Sequence, residues 1–382
     1  MIRKIAVVTG TRADYGIYRP VLREIISREN LSLQLIVTGM HLAGEFGQTI
    51  HDIENDGFQI GAKVDMLIRS DTKAAMAKSL AIGLLGISQA LERIEPDFLL
   101  VLGDRGEMLA GAIAGAHMRI ITAHLHGGEL SGSIDGSLRH AITKLAHIHF
   151  PVTDEAAECI LASGEEAWRI IRIGVPGLDD AEQGFDVSRS EIEEYLNISL
   201  SEKFVLVILH PVLEDQEKSA LQLRNVLKVI LETKLQCLLF LPNADAGHDF
   251  ILEVIHEYRN NPDIHRISHV PRRLYLGILA QASVMIGNSS SGIIEAPYFR
   301  LPVINIGPRQ QGRVRAGNVI DIDGEESEVR LALSNCFQKK LDPNLHNPYH
   351  PGAGKVVADT LSNLTIDDQL LIKRFRFQSL RS

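Results

Sequence analysis

The stretch KIAVVTGTRADYG, Lys4–Gly16, decides how the rest of the chain is read. An apolar, β-branched run closes at Thr9-Gly10, and a pattern with Val21, Leu22, Ile25 and Ile26 on one face follows, so a strand, a tight loop and a helix (about 14–28) are expected. This is where a dinucleotide-binding domain carries its glycine fingerprint. Here there are only two glycines, six residues apart, with Arg12 and Asp14 between them. A loop that grips with a side chain has less need of bare backbone than one that wraps a pyrophosphate alone.

The same alternation continues outward. KIAVVTG, LQLIVTG, FLLVLGD, IITAHLHGG, HIHFPVT and IIRIGVPG read as strands of the first half. FVLVILHP, LQCLLFLPN, IHRISHVP, VMIGNSSSG, PVINIG and VIDID read as strands of the second. Helical patterns lie between them, including a long one over 72–94 that stops before Pro96. Short strands alternating with helices predict an α/β fold with parallel sheets covered on both faces. The acidic segment beginning at Gly177 breaks the strand rhythm, which predicts a first Rossmann-like domain over 1–177 and a second over 178–357. A terminal helix, within 358–382, is expected to pack across the boundary.

Bulk properties bound the function. At 382 residues, 45% hydrophobic and 23% charged, the chain fits two ordinary globular cores. A net charge of −9 argues against broad nucleic-acid or anionic-membrane binding. Cys159, Cys237 and Cys336 form no C-x-x-C pair, so neither a zinc knuckle nor a disulfide framework is indicated. The first apolar run breaks too early for a signal peptide, and no run approaches the ~18–20 residues of a membrane span. A soluble, cytoplasmic protein without metal or cofactor is expected.

The polar residues concentrate at strand ends: Thr11-Arg12, Asp104-Arg105, His124 to Glu129, His210, Asn243 and Gly287 to Ser291. Ligands of open parallel sheets bind beyond these ends, so two facing sheets would aim all six loops at one cleft. GNSSSGIIE suits an anion: Ser289 and Ser290 offer hydroxyls beside free N–H groups at a helix start, and Glu295 lies one turn on. A serine N-cap is the plainer reading. GPRQQGRVR supplies Arg309, Arg313 and Arg315, whose forks match phosphate. HLHGGELSGSIDGSLRH brings Glu129, Asp135 and Arg139 together. Neighbouring carboxylates split their pKa values, giving a proton donor and an acceptor; a capped helix with a surface ion pair is the alternative. The pairs His124/His126 and His147/His149 would each project from one strand face, as zinc ligands or as buried strand histidines.

Taken in order, TGTRADYG, TGMHL, GDR, HLHGGELSGSIDGSLRHAITKLAH, LHP, PNADAG, GNSSSGIIE and NIGPRQQGR cover nearly the whole chain. They resemble the hydrolysing UDP-N-acetylglucosamine 2-epimerases of sialic-acid and legionaminic-acid biosynthesis. The resemblance implies two Rossmann-like domains in the GT-B arrangement with UDP in the cleft. It implies UDP contacts from Arg12, His210, Asn243, Ser289, Ser290, Glu295 and Arg309, with Arg313 a further phosphate candidate on the same loop. It also implies acid/base carboxylates at Asp104, Glu129 and Asp135, supported by Arg139, with His126 and His210 as further proton carriers. His126 stands where some members have glutamate, so one catalytic role falls either to position 126 or to Glu129. The implied reaction eliminates UDP to a 2-acetamidoglucal and hydrates it to N-acetylmannosamine. The substrate is UDP-N-acetylglucosamine or its 2,4-diacetamido-2,4,6-trideoxy relative, and UDP is a product. A GT-B glycosyltransferase, a non-hydrolysing epimerase and a UDP-sugar-binding regulator are the alternatives. A homo-oligomer, dimer or tetramer, is expected through apolar helices such as 72–94.

Overall fold

The computed structural model describes residues 2–44, 49–70, 72–131, 134–182, 187–212, 215–242, 247–268, 270–338 and 346–374. Twelve strands form two six-stranded parallel sheets. The first contains β1 (Arg3–Thr9), β2 (Leu31–Thr38), β3 (Ile60–Val64), β4 (Phe98–Leu102), β5 (Ile121–Leu125) and β6 (Ile148–Phe150), in the order β3-β2-β1-β4-β5-β6. The second contains β7 (Phe204–Ile208), β8 (Gln236–Phe240), β9 (Ile264–Ile267), β10 (Val284–Gly287), β11 (Val303–Ile306) and β12 (Val319–Ile322), ordered β12-β11-β10-β7-β8-β9. In each sheet the order reverses at one place, β1/β4 in the first and β7/β10 in the second. A crevice opens there beyond the strand ends.

The central strands are buried on both faces because helices cover both sides, and they read as continuous apolar runs. The helix Gly106–His117 lies close on its sheet: a Cβ on Gly115 would come within 2.5 Å of Thr122 Oγ1. The edge strand β3 escaped the sequence reading, because Ile60–Val64 alternates buried and exposed residues around Gly61 instead of forming an apolar run. Conversely, IIRIGVPG is no strand. An isolated bridge, His149 to Ile170, and a bond from Ile173 N–H to Pro151 O tie it to the end of β6 without extending the sheet.

Three further expectations are corrected. The first helix is Arg12–Ile26, two residues earlier than its apolar stripe indicated, because Thr11 caps it. The helix expected from 358 begins at Ala353 and ends at Asn363, with a separate short turn at Asp368–Leu371. Its N-terminus is capped by Asp179, distant in sequence, whose carboxylate accepts from the N–H groups of Gly352 (2.6 Å), Ala353 (3.1 Å) and Gly354 (2.8 Å). It packs against helix Arg12–Ile26, so Tyr349, Ala353, Val357 and Leu361 join the first core. The segment 369–372 is held by Arg169, fully buried, whose guanidinium donates to the carbonyls of His147, Gln369, Leu370 and Ile372.

Helix Lys73–Ile94 is, by length and composition, apolar enough to cross a membrane, contrary to the reading of the sequence. Ala75, Ser79, Gly83, Ile87, Ala90, Leu91 and Ile94 face the first core, while Met76, Ile82 and Leu85 are exposed.

Candidate active site

The two reversal points face each other across a cleft of about 420 Å³ lined from both sheets. On the first sheet, β1 ends at Thr9 and the loop turns at Gly10, where a Cβ would meet Glu107 Cγ at 2.9 Å. Thr11 and Asp14 then form a capping box, and Arg12 occupies the first helical position on the cleft wall. Burial lowers the Arg12 pKa, partly offset by Tyr275 and Asp52.

Beyond β4, Gly103 turns with φ +74° and presents Asp104 to Arg139, whose guanidinium donates to it. Arg139 also donates to the Glu129 carbonyl at 2.9 Å. Arg139 is 1% exposed, and burial together with Arg313 and Arg309 holds it well below the usual arginine range.

His126 lies just past the end of β5 with φ +58°, a left-handed conformation that is uncommon outside glycine. It therefore does not alternate with His124, and the two cannot chelate from one strand face. The other histidines are also spoken for. His124 bonds Gly103 O (2.7 Å) and Thr143 Oγ1 (3.1 Å), His147 Nδ1 accepts from Thr122 N–H (3.1 Å), and His149 bonds Glu165 (3.1 Å). Among the described residues no cluster of three His, Cys, Asp or Glu could hold a metal ion.

The second sheet contributes the anion loop and the arginine loop. β10 ends at Gly287, where a Cβ would lie 1.9 Å from Ile208 O, so only glycine brings the two strand ends together. Asn288 then bonds His210 twice through the backbone, His210 N–H to Asn288 Oδ1 at 2.7 Å and Asn288 Nδ2 to His210 O at 2.8 Å. Ser289 is the helix N-cap, and it and Ser290 are half-buried on the cleft wall. Ser291 points inward, accepting from Tyr275 (2.6 Å) and donating to Glu295 (2.5 Å). Glu295 also takes the guanidinium of Arg272, which in turn donates to Gly177 O at 2.8 Å. Asn243 lies outside the described residues.

Arg309 and Arg313 reach back across the cleft. Arg309 bonds Asn288 O (3.2 Å) and comes within 3.4 Å of Asp135, and Arg313 lies 3.0 Å from Glu129. Burial alone would raise the Glu129 pKa, but Arg313, helped by His126, holds it below the ordinary glutamate value. Asp104, Glu129 and Asp135 are thus each matched to an arginine: Arg139, Arg313 and Arg309. Buried polar atoms of His126 (Nε2), Arg139 (Nε) and Arg313 (Nε) have no hydrogen-bond partner among the described residues. Such groups are rare unless a polar ligand completes them.

Of the residues chosen from strand ends, Arg12, Asp104, Arg105, His126, Glu129, His210 and Ser289 to Ser291 line one cleft, while His124 is buried behind it and Asn243 lies outside the described residues. Asp14, Arg272 and Tyr275 were missed. The sequence shows Asp14 only as part of a loop, while Arg272 and Tyr275 lie in the first turn of helix Arg272–Gln281 just after Val270-Pro271, the same strand-end position that marks the others.

An α/β chain with two parallel six-stranded sheets meeting at such a cleft has a GT-B-like architecture. A family model described as UDP-N-acetylglucosamine 2-epimerase matches residues 23–362, and the chain belongs to that family, as an enzyme of nucleotide-sugar 2-epimerase type. It is 42% identical, over 89% of this chain and 90% of the other, to the UDP-N,N'-diacetylbacillosamine 2-epimerase (hydrolyzing) of Legionella pneumophila. It is 35% identical, over 98% of both, to the GDP/UDP-N,N'-diacetylbacillosamine 2-epimerase (hydrolyzing) of Campylobacter jejuni. A UDP-N-acetylglucosamine 2-epimerase of Neisseria meningitidis is 33% identical over 88% of each. The fold is similar to that of the Methanocaldococcus jannaschii UDP-GlcNAc 2-epimerase solved with UDP-GlcNAc and UDP, with TM-score 0.81 and 19% identity over 94% of this chain and 99% of that one.

Proposed function

We propose that the protein is a hydrolysing UDP-sugar 2-epimerase that acts on UDP-N,N'-diacetylbacillosamine, the 2,4-diacetamido-2,4,6-trideoxy sugar nucleotide, in nonulosonic-acid biosynthesis. The observation that carries the reaction class is the set of three carboxylates beyond the first sheet's strands, each paired to an arginine, two of them, Arg309 and Arg313, reaching over from the second sheet beside its serine loop. The choice of sugar rests on the relatives at 42% and 35% identity, both named for the diacetamido substrate. UDP-N-acetylglucosamine is the second reading, supported by the relative at 33%.

The C2 proton beside an acetamido group is weakly acidic, so its removal must be coupled to loss of UDP from C1. In the first step the C2–H and C1–O bonds break and the C1=C2 bond forms. In the second, water adds its oxygen to C1 and a proton reaches C2 on the opposite face, releasing the free 2-epimer. Cationic donors are needed at the departing diphosphate and carboxylates at C2. Arg12, Arg309, Arg313, Ser289 and Ser290 supply the first, and Asp104, Glu129 and Asp135 the second. His126 and His210 are further proton carriers on the cleft wall. A diphosphate entering between the sheets competes for Arg309 and Arg313, freeing Asp135 and Glu129 as bases when the leaving group is in place. Three free thiols, Cys159, Cys237 and Cys336, fit a reducing cytoplasm.

The test is proton NMR of each UDP-sugar incubated with the protein in heavy water. The expected products are UDP and the free 2-epimer carrying deuterium at C2, formed faster from the diacetamido nucleotide. Sugar release with C2 still protonated, or a UDP-sugar product, would overturn the assignment.

A further inference from the structure

We propose that Asp14 is a positioning residue, whose carboxylate holds the first loop so that Arg12 meets the leaving diphosphate. The inference rests on the reading of Arg12 as a phosphate ligand.

Four donors converge on this one side chain. The hydroxyl of Thr9 donates to it, the Gly10 N–H is shared between its two oxygens (3.3 and 3.2 Å), and the Thr11 N–H and hydroxyl each reach it at 2.8 Å. Its own N–H returns a bond to Thr11 Oγ1 at 3.2 Å. An ordinary capping box satisfies two backbone donors. This one also fixes both threonine hydroxyls, so the three residues immediately before Arg12 are tied to a single group. Only an ionised carboxylate accepts from all four; an asparagine would turn its NH₂ toward donors.

The arrangement continues away from the cleft. Thr9 spends its only proton on Asp14, so its oxygen accepts from His41 Nε2 (3.0 Å), and His41 Nδ1 takes the Thr49 hydroxyl (2.7 Å). Burial lowers the His41 pKa to about 3, which keeps the ring neutral and this polarity fixed. Glu107 and Arg105, at the start of the neighbouring helix, and the Tyr18 phenol interact with Asp14 electrostatically. Asp14 is 4% exposed, and burial drives its pKa up to about 6 against the pull of Thr9 and Thr11. Thr11 already caps the helix, and a neutral glutamine at the Asp14 position would close the same box without burying a charge. The surplus is spent on the loop that carries Arg12.

The experiment compares Asp14→Asn, Arg12→Ala and the double variant as full chains, each checked for cooperative melting. KM and kcat for the UDP-sugar and the Kd of UDP are measured at pH 7.5. Asp14→Asn is expected to raise KM and Kd about tenfold with kcat changed less than about threefold. In the Arg12→Ala background it should add less than about twofold, because a positioning residue has nothing left to position. Costs that multiply in the double variant, or an Asp14→Asn protein that binds normally beside a weakened Arg12→Ala, overturn the role of Asp14 alone. Normal UDP binding by Arg12→Ala overturns the assignment of Arg12 and, with it, that of Asp14. Should Asp14→Asn fail to fold, Thr9→Val removes one of the four donors and keeps the cap; it is expected to raise KM about threefold, again only when Arg12 is present.

Discussion

Asp104, Glu129 and Asp135 differ in how they are held, and each is expected to fail in its own way when neutralised. Asp104→Asn takes the charge from beside a buried Arg139, Glu129→Gln from beside Arg313, and Asp135→Asn from beside Arg309. All three should lose turnover by about 10²-fold or more, the scale of a positioned acid or base, while UDP affinity, set by Arg12, the serine loop, Arg309 and Arg313, does not fall. Single-turnover rates beside UDP titrations make the check, and a variant with normal turnover is removed from the mechanism. The buried histidines make a second residue-scale prediction. Burial holds His41 and His124 at about 3 and His147 at about 4, so the folded chain refuses protons that the unfolded chain accepts near pH 6.5. Between about pH 6.5 and 4 the unfolded state binds more protons and stability falls as pH falls. Asp14, raised to about 6, opposes this with one proton against three. The melting temperature should therefore drop steadily from pH 7.5 to 5, and a flat profile would contradict the neutral, buried state of these rings.

At the scale of elements, the cap on helix Ala353–Asn363 is the most exposed to test. Asp179→Ala leaves three N–H groups at the helix start without their acceptor and should cost about 1–2 kcal/mol, read as a lowered urea midpoint with an unchanged slope. An unchanged midpoint would show that water replaces the carboxylate. The same element marks where the sequence stops being legible. The strands beneath two helical layers, such as FLLVL and FVLVI, announce themselves because burial on both faces leaves nothing but apolar residues. β3 does not, because an edge strand needs only alternate burial, and Ile60–Val64 with a glycine resembles a loop. A helix start is legible when its cap is local, as Ser289 is, but Gly352-Ala353-Gly354 carries no capping side chain of its own. The site divides along similar lines. Strand-end positions exposed Asp104, His210 and Ser289, since a parallel sheet delivers every such end to one crevice. Which arginine faces which carboxylate was beyond reach, because Arg309–Asp135 and Arg313–Glu129 join loops from different sheets.

Those cross-cleft pairs give the whole molecule its most specific consequence. In the free enzyme Arg313 keeps Glu129 ionised despite burial. Once a diphosphate draws Arg313 away, only His126 still opposes burial and the Glu129 pKa rises. A base that must be deprotonated sets the acid limb of the rate profile; kcat/KM reports it in the free enzyme and kcat in the complex. The acid limb of kcat should therefore lie about one pH unit or more above that of kcat/KM, the shift expected when an adjacent opposite charge is withdrawn. In Arg313→Gln the free-enzyme limb should move up and the two should converge, because the charge is missing in both states. Coincident limbs in the unaltered protein would mean that Arg313 stays on Glu129 throughout turnover, and that the two sheets bind the diphosphate without releasing the carboxylates they hold between them.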